Sequence, residues 1–176
     1  MGSREVFTGE ITGIANGATR GYFRGHCTSE QPMVAIDHLA ALFGDSMSDQ
    51  AQLSEIGNFF SDYTKLFDER NGAAIATYYH APSITMRADA SVHVFQTRQD
   101  LQEFFQNVAE KYYAEGLRRS TFTDLDVKPI GSKSVLATLK WQMLRGDGSK
   151  LRGWWQSYNL IRPNERWQIL TSTIHI

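Results

Sequence analysis

The last third of the chain alternates in a way that few folds can accommodate. Between Ser134 and Arg145 the apolar residues Val135, Ala137, Leu139, Trp141 and Met143 fill every second position, with Lys140 and Gln142 among those between. A period of two belongs to a strand that buries one face, so the odd positions point inward. Three further runs rich in β-branched and aromatic residues flank it, at about 120–128, 151–162 and 166–176. Asp147-Gly148 and Pro163-Asn164 supply turn chemistry between the last three. The spacing predicts an antiparallel meander of four strands.

The turns also predict which side chains share a face. A two-residue turn at Asp147-Gly148 sets Trp141 opposite Trp154, Leu139 opposite Gln156 and Ala137 opposite Tyr158, so Trp154, Gln156, Tyr158 and Leu160 join the inward set. A turn at Asn164-Glu165 carries that set on to Trp167, Ile169, Thr171, Thr173 and His175. A turn one residue different brings in the opposite set instead: Trp155, Ser157, Asn159 and Ile161 with Gln168, Leu170, Ser172 and Ile174. Both sets are substantially apolar. The outer face is therefore expected to be covered as well, and a second copy of the chain is its natural cover, giving a homodimer.

Upstream the period changes to that of helices. Leu53, Ile56, Phe60, Tyr63 and Phe67 recur at steps of three and four, an amphipathic helix with a stop expected at Asn71-Gly72. A short helix from Ala73 to about Tyr79 must end before Pro82. Two short strands follow, Ile84–Ala88 and Val92–Gln96. Thr97 and Asp100 open a third helix whose buried stripe is Leu101, Phe104, Phe105, Val108 and Tyr112, closed by Gly116. Helices followed by a long meander predict an α+β plan: three N-terminal helices packed on one face of a curved, mainly antiparallel sheet.

Residues 1–46 read differently. They hold seven of the fourteen Gly, none of the four Trp, and one periodic piece, Val34 to Phe43. Met1-Gly2-Ser3 resembles a vector-derived remnant and Met47 a natural start, so 1–46 is expected to be an accessory segment, loosely ordered or a short helix, and 47–176 a single domain. Eighteen Lys+Arg against nineteen Asp+Glu give a formal charge of −1, which lacks the basic excess of a nucleic-acid surface. A lone Cys27 excludes a disulfide framework and a thiolate metal cluster. With no apolar run of about 20 residues and no signal-like N-terminus, the expectation is a cytoplasmic domain that neither spans nor binds a membrane.

The order of elements resembles the nuclear-transport-factor-two-like superfamily, which includes the ketosteroid isomerases and the polyketide-cyclase-like (SnoaL-like) proteins. The residues that carry the resemblance are Tyr63-Thr64-Lys65-Leu66-Phe67-Asp68, Ile75-Ala76-Thr77-Tyr78-Tyr79, and Ala81-Pro82-Ser83-Ile84. In the second half they are Trp141, Asp147-Gly148, Trp154, Tyr158-Asn159-Leu160 and Trp167-Gln168-Ile169. The resemblance implies a cone whose open end is a pocket between helices and sheet, and in many members a dimer through the outer sheet face. It also places Tyr63 where the isomerases keep the tyrosine that donates to a developing oxyanion. Their carboxylate base, counted without gaps from Tyr63, falls on Arg87, and their second carboxylic acid falls near Gln156. A guanidinium cannot take a proton from carbon, so isomerisation by that route is not expected, and Asp89 is the nearby carboxylate able to substitute.

These readings define the candidates. Tyr63, Asp89 and His175 are the candidate catalytic groups; Arg87, Trp141, Trp154, Gln156, Tyr158 and Thr173 are the candidate ligand-binding groups. Arg87 is either a surface charge or a guanidinium paired with a carboxylate or an anionic ligand. None of the five His forms a helical i, i+4 pair or a Cys/His spacing, so neither a metal nor another cofactor is expected. His80 reads as the terminus of a helix. Two functions follow: a pocket for an apolar ring compound, with or without cofactor-free acid–base catalysis of the isomerase, cyclase or lyase type, or a non-catalytic homodimeric or partner-binding module.

Overall fold

The computed structural model describes residues 34–175. The readings placed on Cys27 and His26, like the rest of 1–33, lie outside the described residues. Helix α1 (Val34–Asp68) and the short α2 (Gly72–Thr77) lead into a hairpin, β1 (Tyr79–Met86) and β2 (Val92–Phe95). Helix α3 (Arg98–Ala114) follows, then β3 (Arg119–Pro129), β4 (Ser134–Leu144), β5 (Lys150–Ile161) and β6 (Gln168–Ile174). The six strands form one sheet in the order β2-β1-β6-β5-β4-β3, antiparallel throughout except where β1 runs parallel to β6. The helices pack on its inner face, with α1 against β3 and α3 against β1 and β2. This is the expected α+β architecture.

The helix boundaries follow local chemistry, with three corrections. Thr97 and Asp100 form a reciprocal capping box on α3, as their spacing predicts. At the end of α1, however, Arg70 adopts the left-handed conformation (φ 58°), and Asn71 caps the next helix by accepting from the Ala74 N–H at 3.0 Å. Gly72 is needed for another reason: a Cβ there would sit 2.6 Å from the backbone nitrogen of Gln106 on α3, so the glycine lets α2 and α3 touch. Strand β1 also begins at Tyr79, earlier than expected, with Pro82 inside it. His80 accordingly lies in a strand, bonding the Pro82 carbonyl through Nδ1 at 3.0 Å.

The predicted inward face of β4 is the core. Val135, Ala137 and Leu139 are fully buried, and Trp141 and Met143 nearly so. The β4–β5 turn is one residue longer than expected, bonding Arg145 to Ser149 with Gly148 at φ 82°. A bulge between Met143 and Leu144 absorbs the difference, so Trp141 still faces Trp154 and Leu139 still faces Gln156. The β5–β6 ladder ends otherwise. Its first pairs, Ile161 with Gln168 and Leu160 with Ile169, have the expected register, and then a bulge at Leu170 sets Tyr158 opposite Ser172 and Gln156 opposite Ile174. Every later side chain on β6 is thereby flipped. Ser172 and Ile174 turn inward, while Thr171 and Thr173, expected inside, lie outward, and His175 beyond them bonds the outer-face Ser157.

Candidate functional site

Going along the strands, the inner face changes character. At one end Ile56 and Phe60 of α1 meet Val135, Leu160 and Ile169, all fully buried. One and two turns further along α1, Tyr63 and Phe67 face a hollow of about 630 Å³ instead. Its sides are rings: Phe104, Phe105 and Tyr112 from α3, Trp141 and Trp154 from the sheet. Its deeper wall carries neutral polar groups on buried residues, Tyr63, Tyr79, Tyr158, Gln156 and Ser120. Exposed Arg87, Ala88, Asp89 and Lys111 form the rim.

The deep polar groups are tied to one another. The Tyr63 and Tyr79 hydroxyls lie 3.0 Å apart, and the Trp141 indole N–H donates to the Tyr158 hydroxyl at 2.8 Å. The Trp154 indole N–H donates to Gln156 Oε1 at 3.0 Å, which fixes the amide and leaves its NH2 as a donor. Ser120 gives its backbone N–H to Asp68 at 2.7 Å, while its buried hydroxyl has no partner among the described residues. Burial pushes the Tyr63, Tyr79 and Tyr158 phenols above their ordinary range, and the mutual proximity of the rings adds to the effect at Tyr63 and Tyr158. All three remain neutral and able to donate a hydrogen bond.

Asp89 is the one carboxylate among the lining residues. It lies in the turn between β1 and β2, beyond the strand, and that turn is closed by Arg87 N–H to Ser91 O at 2.9 Å. There Oδ1 accepts from both the N–H (2.9 Å) and hydroxyl (2.6 Å) of Ser91. Those bonds, with help from Arg87, hold the carboxyl below its usual range. Asp89 is thus a weak base at the rim, not a strong one inside.

Seven of the nine candidates converge on this hollow: Tyr63, Arg87, Asp89, Trp141, Trp154, Gln156 and Tyr158. His175 and Thr173 do not, because the bulge at Leu170 turns β6 over. His175 Nε2 instead meets Ser157 at 2.9 Å, which in turn bonds Thr138 at 2.7 Å, a small polar cluster on the outer face. Sequence reasoning missed Tyr79, Tyr112, Lys111, Ser120 and Ser172. Tyr112 and Lys111 had a signal, since the α3 stripe predicts its own inward face. Ser172 had one too, as a member of the opposite set on β6. Tyr79 was hidden by its reading as a helix end.

Among curated proteins no sequence matches this chain. Several solved structures share its fold. An NTF2-like protein with a cystatin-like fold from Novosphingobium aromaticivorans is 14% identical with a TM-score of 0.61, over 82% of this chain and 91% of that one. A Catenulispora acidiphila protein in complex with S-DNPA is 16% identical with a TM-score of 0.58, over 72% and 93%. A putative calcium/calmodulin-dependent protein kinase II association domain from Xanthomonas campestris is 11% identical with a TM-score of 0.53, over 69% and 84%. Family membership rests on sequence: the profile of the NTF2-like protein (DUF6841) family matches residues 54–175, most of the chain, and the chain belongs to that family.

Proposed function

We propose that this protein binds a small apolar ring compound in the hollow between α1, α3 and the inner sheet face. The observation that carries the reading is the wall itself, where aromatic sides enclose neutral hydrogen-bonding groups in a space of about 630 Å³. Ligand sites are commonly about 300–1,000 Å³, mainly apolar, with a few placed polar groups. The Gln156 amide, fixed by Trp154, and the paired Tyr63 and Tyr79 hydroxyls orient the ligand. That the Catenulispora acidiphila neighbour is in complex with S-DNPA supports a binding role for the same fold here. Asp89 at the rim is the carboxylate on offer for an acid–base step, and Tyr63 is a neutral donor lining the same hollow.

A thermal-shift screen against ring compounds tests the reading. A ligand at 100 times its dissociation constant adds ~2.7 kcal/mol to stability. Tyr63→Phe and Gln156→Leu are each expected to weaken a hit by about 1 kcal/mol or more. Unchanged affinity in both variants removes the deep polar groups from the site.

The second reading, a homodimer through the outer sheet face, is favoured by a specific observation. Leu136, Trp155, Ile84 and Met86 each expose between 37% and 45% of their surface there, which is apolar area that a partner would cover. The Xanthomonas campestris neighbour is named an association domain, which accords with assembly by this fold. Light scattering that returns a monomer mass removes this reading and leaves the first intact.

A further inference from the structure

The rim of the hollow holds more positive charge than its surroundings neutralise. Arg87 enters from the β1–β2 turn and Lys111 from α3. Neither takes part in an ion pair among the described residues. The carboxylates that might serve them are engaged elsewhere. Glu115, one helical turn from Lys111, pairs with Arg152. Glu110 pairs with Arg70 at 3.5 Å. Asp89 is held by the backbone and hydroxyl of Ser91 within its own turn and offsets part of the Arg87 charge without a salt bridge to it, leaving Lys111 unmatched. Two cations and one carboxylate therefore border an opening whose interior is aromatic and neutral.

Resting on the ring-binding reading above, we infer that the ligand is an aromatic carboxylate, its ring among the aromatic side walls and its carboxylate at the rim beside Arg87 and Lys111. The geometry suits such a molecule better than a neutral one. An apolar ring loses water among the side walls, while the carboxylate stays near solvent and meets two cationic donors there. A cationic head would meet like charge on two sides, with only the already bonded Asp89 to offset it. The neutral deep groups Gln156 and Ser120 remain for a hydroxyl or carbonyl at the far end of the ring.

The test is calorimetric titration of the whole chain with one-, two- and three-ring aromatic carboxylates (benzoate, 2-naphthoate, 9-anthroate) and their methyl esters. At low salt the best acid is expected to bind about tenfold more tightly than its ester. In an Arg87→Gln, Lys111→Gln double variant that preference falls to near unity. Both positions are exposed, so folding is not at stake, and circular dichroism checks it. Raising salt should erode the preference in the parent chain and not in the variant. Equal binding of acid and ester overturns the carboxylate assignment and leaves ring binding standing. A preference that survives in the double variant overturns the assignment to Arg87 and Lys111. Failure of every acid and every ester to bind at millimolar concentration overturns the inference together with the reading beneath it.

Discussion

The filled and hollow ends of the same sheet use different residues on the same strands. On β4 the inner face runs Val135, Ala137, Leu139 and then Trp141, Met143; on β5 it runs back from Trp154, Gln156, Tyr158 to Leu160. Aliphatic side chains of similar reach interlock and leave no gap, which is what a core requires. Rings that carry a hydroxyl, amide or indole N–H need partners, and satisfy one another along the wall while the space between walls stays open. Helix α1 makes the same change within two turns, from Ile56 and Phe60 to Tyr63. One half of the inner face serves stability. The other half gives up packing and leaves a hollow.

That division has a direct consequence for truncation. Leu160→Ala at the filled end removes a side chain with no exposure, and about 2–5 kcal/mol of stability should go with it, read by urea unfolding. Trp154→Ala deletes a larger side chain at the hollow end, where it is part-exposed beside existing space. It gives up the bond to Gln156 Oε1 and the contact with Tyr112, but water in the existing space can reach the freed oxygen, so its expected cost is smaller, about 1–2 kcal/mol, while ring binding should fall sharply. Equal costs at the two positions would show that the hollow is packed in solution and would remove the distinction.

The filled end was the legible one. A period of two on β4 and steps of three and four on α1 name Val135, Ala137, Leu139, Ile56 and Phe60 as core without any tertiary knowledge. The hollow was legible only as far as register could be counted. The count survived the β4–β5 turn because a bulge at Met143/Leu144 compensated the longer turn. On β6 the bulge at Leu170 had no such compensation, so Ser172 and Ile174 took the places expected for Thr171 and Thr173 and carried His175 outward. Nothing in the local sequence Gln168-Ile169-Leu170-Thr171 marks the bulge, since each residue suits a regular strand. It lies where β6 also pairs with β1 on its other edge, a contact between segments 80 residues or more apart. The rim was hidden for a similar reason. Arg87 and Asp89 were visible as types, but Lys111 meets them only once α3 lies across β1.

The smallest expected effect lies behind the hollow's wall, at Asp68, where a charge sits between the two regimes. Its carboxylate accepts the Ser120 N–H, yet burial raises its proton affinity above the ordinary value, and the Ser120 and Arg119 contacts only partly oppose this. The sign follows from linkage. A carboxyl whose folded affinity for the proton exceeds its unfolded affinity makes the folded state bind more protons, so its own contribution favours folding as pH falls toward the unfolded pKa and costs stability above the raised folded value. Asn in its place still accepts from Ser120 and never carries the charge. Asp68→Asn is therefore expected to be slightly more stable than the parent at neutral pH, with the advantage shrinking as pH falls through the acid range, read as the difference in unfolding midpoint across a pH series. A variant less stable at neutral pH, with a deficit that closes on acidification, would mean that Asp68 is held by its contacts more strongly than burial opposes it, and would make this corner part of the stabilising half rather than of the hollow one.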